Sequence, residues 1–148
     1  MIEPQKSVRS TCPYCGVGCQ IDLKIKDDRI IRVDAPFDVA PNFGRLCAKG
    51  RFGIDFVHHP SRLTNPLIRK DLGIKPRQPI GLDGFRQATW DEALELAASK
   101  LADIVKEYGG DAVGTFCSAK ATNEDNYVFQ KLVRAVLGTN NVDHCARL

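Results

Sequence analysis

The sequence predicts a small α+β module built around clustered cysteines and a β-hairpin, followed by the start of an α/β layer. Three observations carry that prediction. Four of the six cysteines, Cys12, Cys15, Cys19 and Cys47, fall in the first third of the 148 residues. Between the third and the fourth, apolar and polar residues alternate with the two-residue period of a strand. Beyond residue 85, helix signals alternate with a short apolar run, the order of an α/β domain. The chain is therefore expected to divide into a cysteine module at 1–60, an extended linker at 61–85 and an incomplete α/β domain at 86–148.

Each element follows from local chemistry. In "QIDLKIKDDRIIRVD", Ile21, Leu23 and Ile25 alternate with polar neighbours, Asp27-Asp28 makes the turn, and Ile30, Ile31 and Val33 resume the apolar pattern. That is a hairpin with one buried face. The stretch "APFDVAPNFGRLCAKG" is rich in Pro and Gly and brings the chain back to Cys47. Four prolines between Pro60 and Pro79 make the next segment an extended connection. In "ATWDEALELAASKLADIVKEYGG" Thr89 is the N-cap with Glu92 three residues on, and Leu94, Ala97, Leu101, Ile104 and Val105 form a stripe. Gly109-Gly110 stops that helix. "DAVGTFC" at 111–117 reads as a buried strand. A second helix then runs from about 123 to 137, with Thr122 as N-cap, Val128, Leu132 and Val136 at helical spacing and Gly138 after its end. "NNVDHC" follows as a strand or loop.

Composition excludes several function classes. Hydrophobic residues at 43% and charged residues at 26% are globular values. A net charge of +3, with Lys and Arg interspersed among Asp and Glu, gives no basic block for nucleic acid. No apolar run is long enough for a membrane segment, and the N-terminal residues lack a signal-peptide pattern. The chain is expected to be cytoplasmic, where clustered cysteines argue for metal before disulfides.

The cysteines follow the pattern C-x2-C-x3-C-x27-C. In "CPYCGVGC", Pro13, Gly16 and Gly18 let the backbone wrap three thiolates around one compact group, and Cys47 supplies the fourth corner. A [4Fe-4S] cube needs four thiolates and a backbone able to donate hydrogen bonds to sulfur. A structural zinc site usually shows two facing C-x2-C pairs, and only one is present here. The spacing favours the cube and leaves open a zinc-stabilised domain, or a small stand-alone electron carrier, without enzymatic activity. The loop "SAKATN" at 118–123 is a second candidate site, because phosphate groups favour helix N-termini beyond strand ends. Lys120, Thr122 and Asn123 form its contact set, although Thr and Asn at such positions also serve as simple caps. His58 and His59 read as packing or hydrogen-bonding residues where one module meets the next, and Cys117 as a core thiol.

"CPYCGVGC", the hairpin and "GRLCAKGRFG" together resemble the N-terminal [4Fe-4S] module of the molybdopterin oxidoreductases. The resemblance continues through "FGIDFVHHPSRLTNPLIR", "ATWDEAL" and "SAKATNEDNYVFQKLVRAVLGTNNVDHCARL", so it covers essentially the whole chain. Within that superfamily the closing stretch is similar to formate dehydrogenase catalytic subunits. The resemblance implies an α/β (αβα) molybdopterin-binding domain in the second part, and molybdenum or tungsten held by two pterin guanine dinucleotides in the full enzyme. It implies formate and CO2 as substrate and product, the remainder of the catalytic subunit as a partner, and an iron-sulfur or flavin subunit as electron acceptor. It makes Lys49, two residues after Cys47, the relay between pterin and cluster, and it leaves His144 and Cys145 near the active site without a ligand role.

In the family the residue after the segment matching "CARL" is the selenocysteine or cysteine that ligates the metal, followed by His. The expectation is that an in-frame UGA selenocysteine codon follows Leu148, and that these 148 residues, inactive alone as a formate dehydrogenase, are the front portion of a longer chain.

Overall fold

A computed structural model describes residues 3–71, 73 and 81–145. Part of the expected linker and the closing residues 146–148 lie outside the described residues, and with them the end of the "CARL" match. The chain forms two compact units, Met1–Arg62 with Val113–Leu148, and Leu63–Ala112. Among the described residues no helix is long and apolar enough to cross a membrane.

The first unit begins with an antiparallel sheet in the order β1-β2-β3: Lys6–Thr11, Gln20–Lys26 and Arg29–Asp34. The expected hairpin is β2 and β3. Asp27 and Asp28 both take positive φ, 48° and 56°, which is what a two-residue turn compatible with strand twist demands. Strand β1 was not foreseen, because "KSVRST" carries a single apolar residue and is exposed along its whole length. Its backbone pairs with β2 in continuous register, and Arg9 holds Asp22 across the strands at 2.9 Å. The buried face is narrower than the pattern suggested. Ile21 and Val33 pack with Cys12 as the core, Leu23 joins them partly buried, and Ile31 faces outward.

Helix α1 (Ala48–Phe52) follows Cys47 and is tied to the sheet by Arg51, which donates to the Val33 carbonyl at 3.0 Å and faces Asp34 at 3.5 Å. A short 3-10 turn, Asp55–His58, then brings His58 Nε2 to accept the Ile30 amide at 2.9 Å. His59 Nδ1 accepts the Ser61 amide at 3.2 Å. Both histidines therefore spend a ring nitrogen on backbone.

In the second unit, the stretch expected as an extended connection contributes strand β4 (Leu67–Arg69), antiparallel to β5 (Phe85–Gln87). Helix α2 (Trp90–Tyr108) begins at Thr89, whose hydroxyl accepts the Glu92 amide at 3.1 Å, and ends at Gly109 with φ 82°. The Glu92 carboxylate pairs with Arg86, which holds it below the usual carboxylate range. No residue of α2 is buried; Leu94 and Ile104 on its apolar stripe are exposed.

The first unit is completed by a parallel strand-helix-strand arrangement. Strand β6 (Thr115–Ser118) pairs with β7 (Val142–Cys145), and helix α3 (Asn123–Leu132) connects them. The strand expected at 111–117 starts later, after a 3-10 turn at Gly110–Ala112, and only Cys117 of it is buried. Helix α3 opens with a reciprocal cap: the Thr122 hydroxyl accepts the Asp125 amide while the Asp125 carboxylate accepts the Thr122 amide. It closes through a π-turn, Val133–Leu137, and Gly138 in the left-handed region at φ 73°.

The expected stripe of Val128, Leu132 and Val136 is exposed, and the adjacent row buries Val133 and Leu137 instead. Both rows are apolar at i, i+4 spacing, so periodicity alone does not decide which one the strands take. Val128 and Leu132 of the uncovered row, with Phe129 and with Phe116 at 76% exposure, line an apolar groove beside α3, and Val136 extends the exposed apolar row. Such a surface drives association. The chain should show concentration-dependent self-association in analytical ultracentrifugation, relieved by Val128→Glu with Val136→Glu; a wild-type monomer at every concentration would count against it.

Candidate metal centre

The first three cysteines sit on the loop between β1 and β2. Cys12 donates its amide to the Cys19 carbonyl at 2.8 Å, which closes "CPYCGVGC" into one turn. Gly18 within it has φ 74°, a conformation that a side chain would strain. The Tyr14 hydroxyl donates to the Gly53 carbonyl beyond α1, fixing the loop against the helix that follows Cys47. Gly50 completes the contact: a Cβ there would meet the Cys12 sulfur at 3.4 Å.

Cys47 is delivered by the loop after β3, and a single buried side chain anchors that loop. Asn42 accepts the Gln20 amide at 2.8 Å and donates to the Gln20 and Arg45 carbonyls at 3.0 Å each. Sequence reading missed Asn42, since one Asn in a Pro- and Gly-rich stretch looks like ordinary turn chemistry. Cys47 itself occupies the N-cap of α1. The Gly50 amide, and after burial's opposing effect the Lys49 amide and the Lys49 charge, hold its thiol below the ordinary value. Lys49 is exposed and lies close enough to act on that sulfur.

The electrostatics place the four cysteines in one neighbourhood. Burial first, and then negative charge on Cys12, Cys15 and Cys47, push the Cys19 thiol up. Four thiols that repel one another when ionised form a site that a cation-rich group relieves. Yet among the described residues no set of three or more His, Cys, Asp or Glu converges tightly enough for one metal ion.

The second candidate loop lies at the other end of an unexpected link. The Asn123 side chain donates to the Gly16 carbonyl, inside the cysteine loop, at 2.7 Å. Thr122 spends its hydroxyl on the cap, and Lys120 is exposed, with its amide on the Ser118 hydroxyl at 3.1 Å. Asn126, also missed from sequence, grips Ser118 through both its amide and its carbonyl, at 3.2 and 2.9 Å, and so docks α3 on the end of β6. An open cleft of ≈ 530 Å³ runs along α3, lined by Asn123, Lys131, Arg134 and His144 among others. Cys117 is buried and Cys145 exposed, and neither joins the four-cysteine neighbourhood.

Residues 5–59 match the molybdopterin oxidoreductase Fe4S4 domain and residues 62–148 the molybdopterin oxidoreductase domain. The chain is 47% identical over 144 residues to the F420-dependent formate dehydrogenase 2 subunit alpha of Methanococcus maripaludis, covering 97% of this chain and 19% of that protein. It is 46% identical to the F420-dependent formate dehydrogenase subunit alpha of Methanocaldococcus jannaschii, with coverage of 97% and 19%. A probable oxidoreductase of Bacillus subtilis, YjgC, is 43% identical, with coverage of 96% and 13%. The chain thus spans at most about a fifth of the length of these relatives. Two consecutive domain matches that together span residues 5–59 and 62–148, with relatives 46–47% identical over 97% of the chain, have one source: the chain belongs to the molybdopterin oxidoreductase family.

Proposed function

We propose that this chain is the N-terminal electron-transfer portion of a molybdenum or tungsten bis(pterin guanine dinucleotide) formate dehydrogenase, with a [4Fe-4S] cluster held by Cys12, Cys15, Cys19 and Cys47. The observation that carries the reading is 47% identity, over 97% of the chain, to a protein named as a formate dehydrogenase alpha subunit. The cluster supplies one-electron storage. The chain's own residues do the rest. The amides of Lys49 and Gly50 donate toward the Cys47 sulfur, the Cys12 side excludes water, and the Lys49 ammonium offers a positive charge between cluster and pterin.

Residues 86–148 form the start of an αβα pterin domain, 1–60 the cluster module and 61–85 the connection between them. Lys120, Thr122 and Asn123 contact the pterin dinucleotide at the end of β6, and the Asn123 link to Gly16 supports a position for it beside the cluster. Lys131 and Arg134 along the adjacent cleft suit phosphate groups. The partners are the remainder of the catalytic subunit and an iron-sulfur or flavin subunit, with formate and CO2 as the reacting pair.

The test is anaerobic purification or reconstitution of the full 148-residue chain with iron and sulfide. Brown protein with a broad visible band and about four irons per chain supports the cluster. Colourless protein holding about one zinc sinks it in favour of a structural domain.

A further inference from the structure

Gly16 and Asn123 are 107 residues apart and specify each other. Gly16 is not among the glycines of positive φ, so its backbone does not require glycine. Its neighbour does. A Cβ on Gly16 would overlap the Asn123 side-chain oxygen and meet its Cγ at 3.3 Å. The same amide group donates to the Gly16 carbonyl at 2.7 Å. In a trans peptide the carbonyl and the following N–H point in opposite directions, so fixing the Gly16 carbonyl fixes the Val17 N–H. That N–H lies between Cys15 and Cys19 and donates to no other described residue. Hydrogen-bonding the carbonyl also polarises the peptide and strengthens its N–H as a donor.

We propose that Asn123 is a positioning residue for the cluster: from the first turn of α3 it orients the Gly16–Val17 peptide so that its N–H donates toward cluster sulfur, and thereby raises the reduction potential. The inference rests on the cluster reading above and adds a residue outside the cysteine module to what sets the potential. An N–H dipole directed at sulfur stabilises the reduced form, which carries one more negative charge. The Asn123 bond is solvent-exposed, where exchange with water leaves it little weight in folding. Its loss should register in the potential before it registers in stability.

The experiment is an EPR-monitored redox titration of the full, cluster-loaded chain, comparing wild type with N123A, N123D, G16A and the N123A/G16A double variant. Iron and sulfide content and circular dichroism are recorded for each. N123A should hold about tenfold less of the reduced form at a fixed poise, a shift of about 59 mV to more negative potential. N123D keeps side-chain size and places an acid where the α3 dipole favours one, so helicity is retained while the donor is lost. Its shift should be at least as large, and failure to hold a cluster with α3 intact supports the same dependence. G16A should shift in the same direction by displacing the Asn123 amide, and the double variant should match N123A alone. A wild-type chain that takes up no cluster sinks the underlying reading. A loaded wild type whose N123A and N123D variants titrate with it, or single shifts that simply add, overturns this inference alone.

Discussion

Replacing Cys12 by Ser removes the cluster and also destabilises the protein before any iron is added, whereas replacing Cys47 by Ser removes the cluster alone. The difference is one of packing. Cys12 is 5% exposed and sits with Ile21 and Val33 in the core, with Gly50 against its sulfur. Burying a hydroxyl among those groups without a partner costs on the order of 1–3 kcal/mol. Cys47 is exposed at the N-cap of α1, where a Ser hydroxyl is itself a favoured cap. Its iron-free variant should unfold within about 0.5 kcal/mol of wild type. Urea titration of both iron-free variants, paired with iron and sulfide analysis after reconstitution, checks this. Full iron in either variant, or equal unfolding midpoints for the two, defeats the assignment of Cys12 to both core and cluster.

That double role explains what was readable from the residues alone. The cysteine spacing exposed the candidate site because ligands need a fixed chemistry at short separations, and "CPYCGVGC" concentrates three within eight residues. The hairpin, both helix starts and both glycine stops were equally legible, since turn and cap chemistry is local. What escaped depends on partners distant in sequence. Strand β1 has no apolar alternation and exists because β2 offers it a backbone edge. Which row is buried, that of Val128 or that of Val133 and Leu137, is decided by tertiary packing, because the helical period fits both. Asn123 reads as a cap-region polar residue, and only the fold reveals that its side chain reaches Gly16. The candidate ligands were thus visible while the side chains that support their loops were not.

Asn42 is the support whose loss should be felt most. It is 8% exposed and satisfies three backbone groups, the Gln20 amide, the Gln20 carbonyl and the Arg45 carbonyl. Those groups belong to the start of β2, one residue after Cys19, and to the loop that ends at Cys47. One side chain thereby sets the separation between the third and fourth cysteines. Asn42→Ala leaves all three groups without their partner in a place water reaches poorly, and should destabilise the iron-free chain by roughly 2–3 kcal/mol. Asn42→Asp preserves the acceptor and size but removes both donations, so it should retain only part of the wild-type stability. In the loaded protein the freed loop lets Cys47 leave more often, and iron loss to a chelator, followed by bleaching of the visible band, should quicken about tenfold or more in both variants, a factor that takes only about 1.4 kcal/mol. Cys47→Ser provides the contrast, cluster lost with the fold untouched. If Asn42→Ala unfolds with the wild type and releases iron at the wild-type rate, the fourth cysteine is held by its own helix and the Asn42 clamp is dispensable.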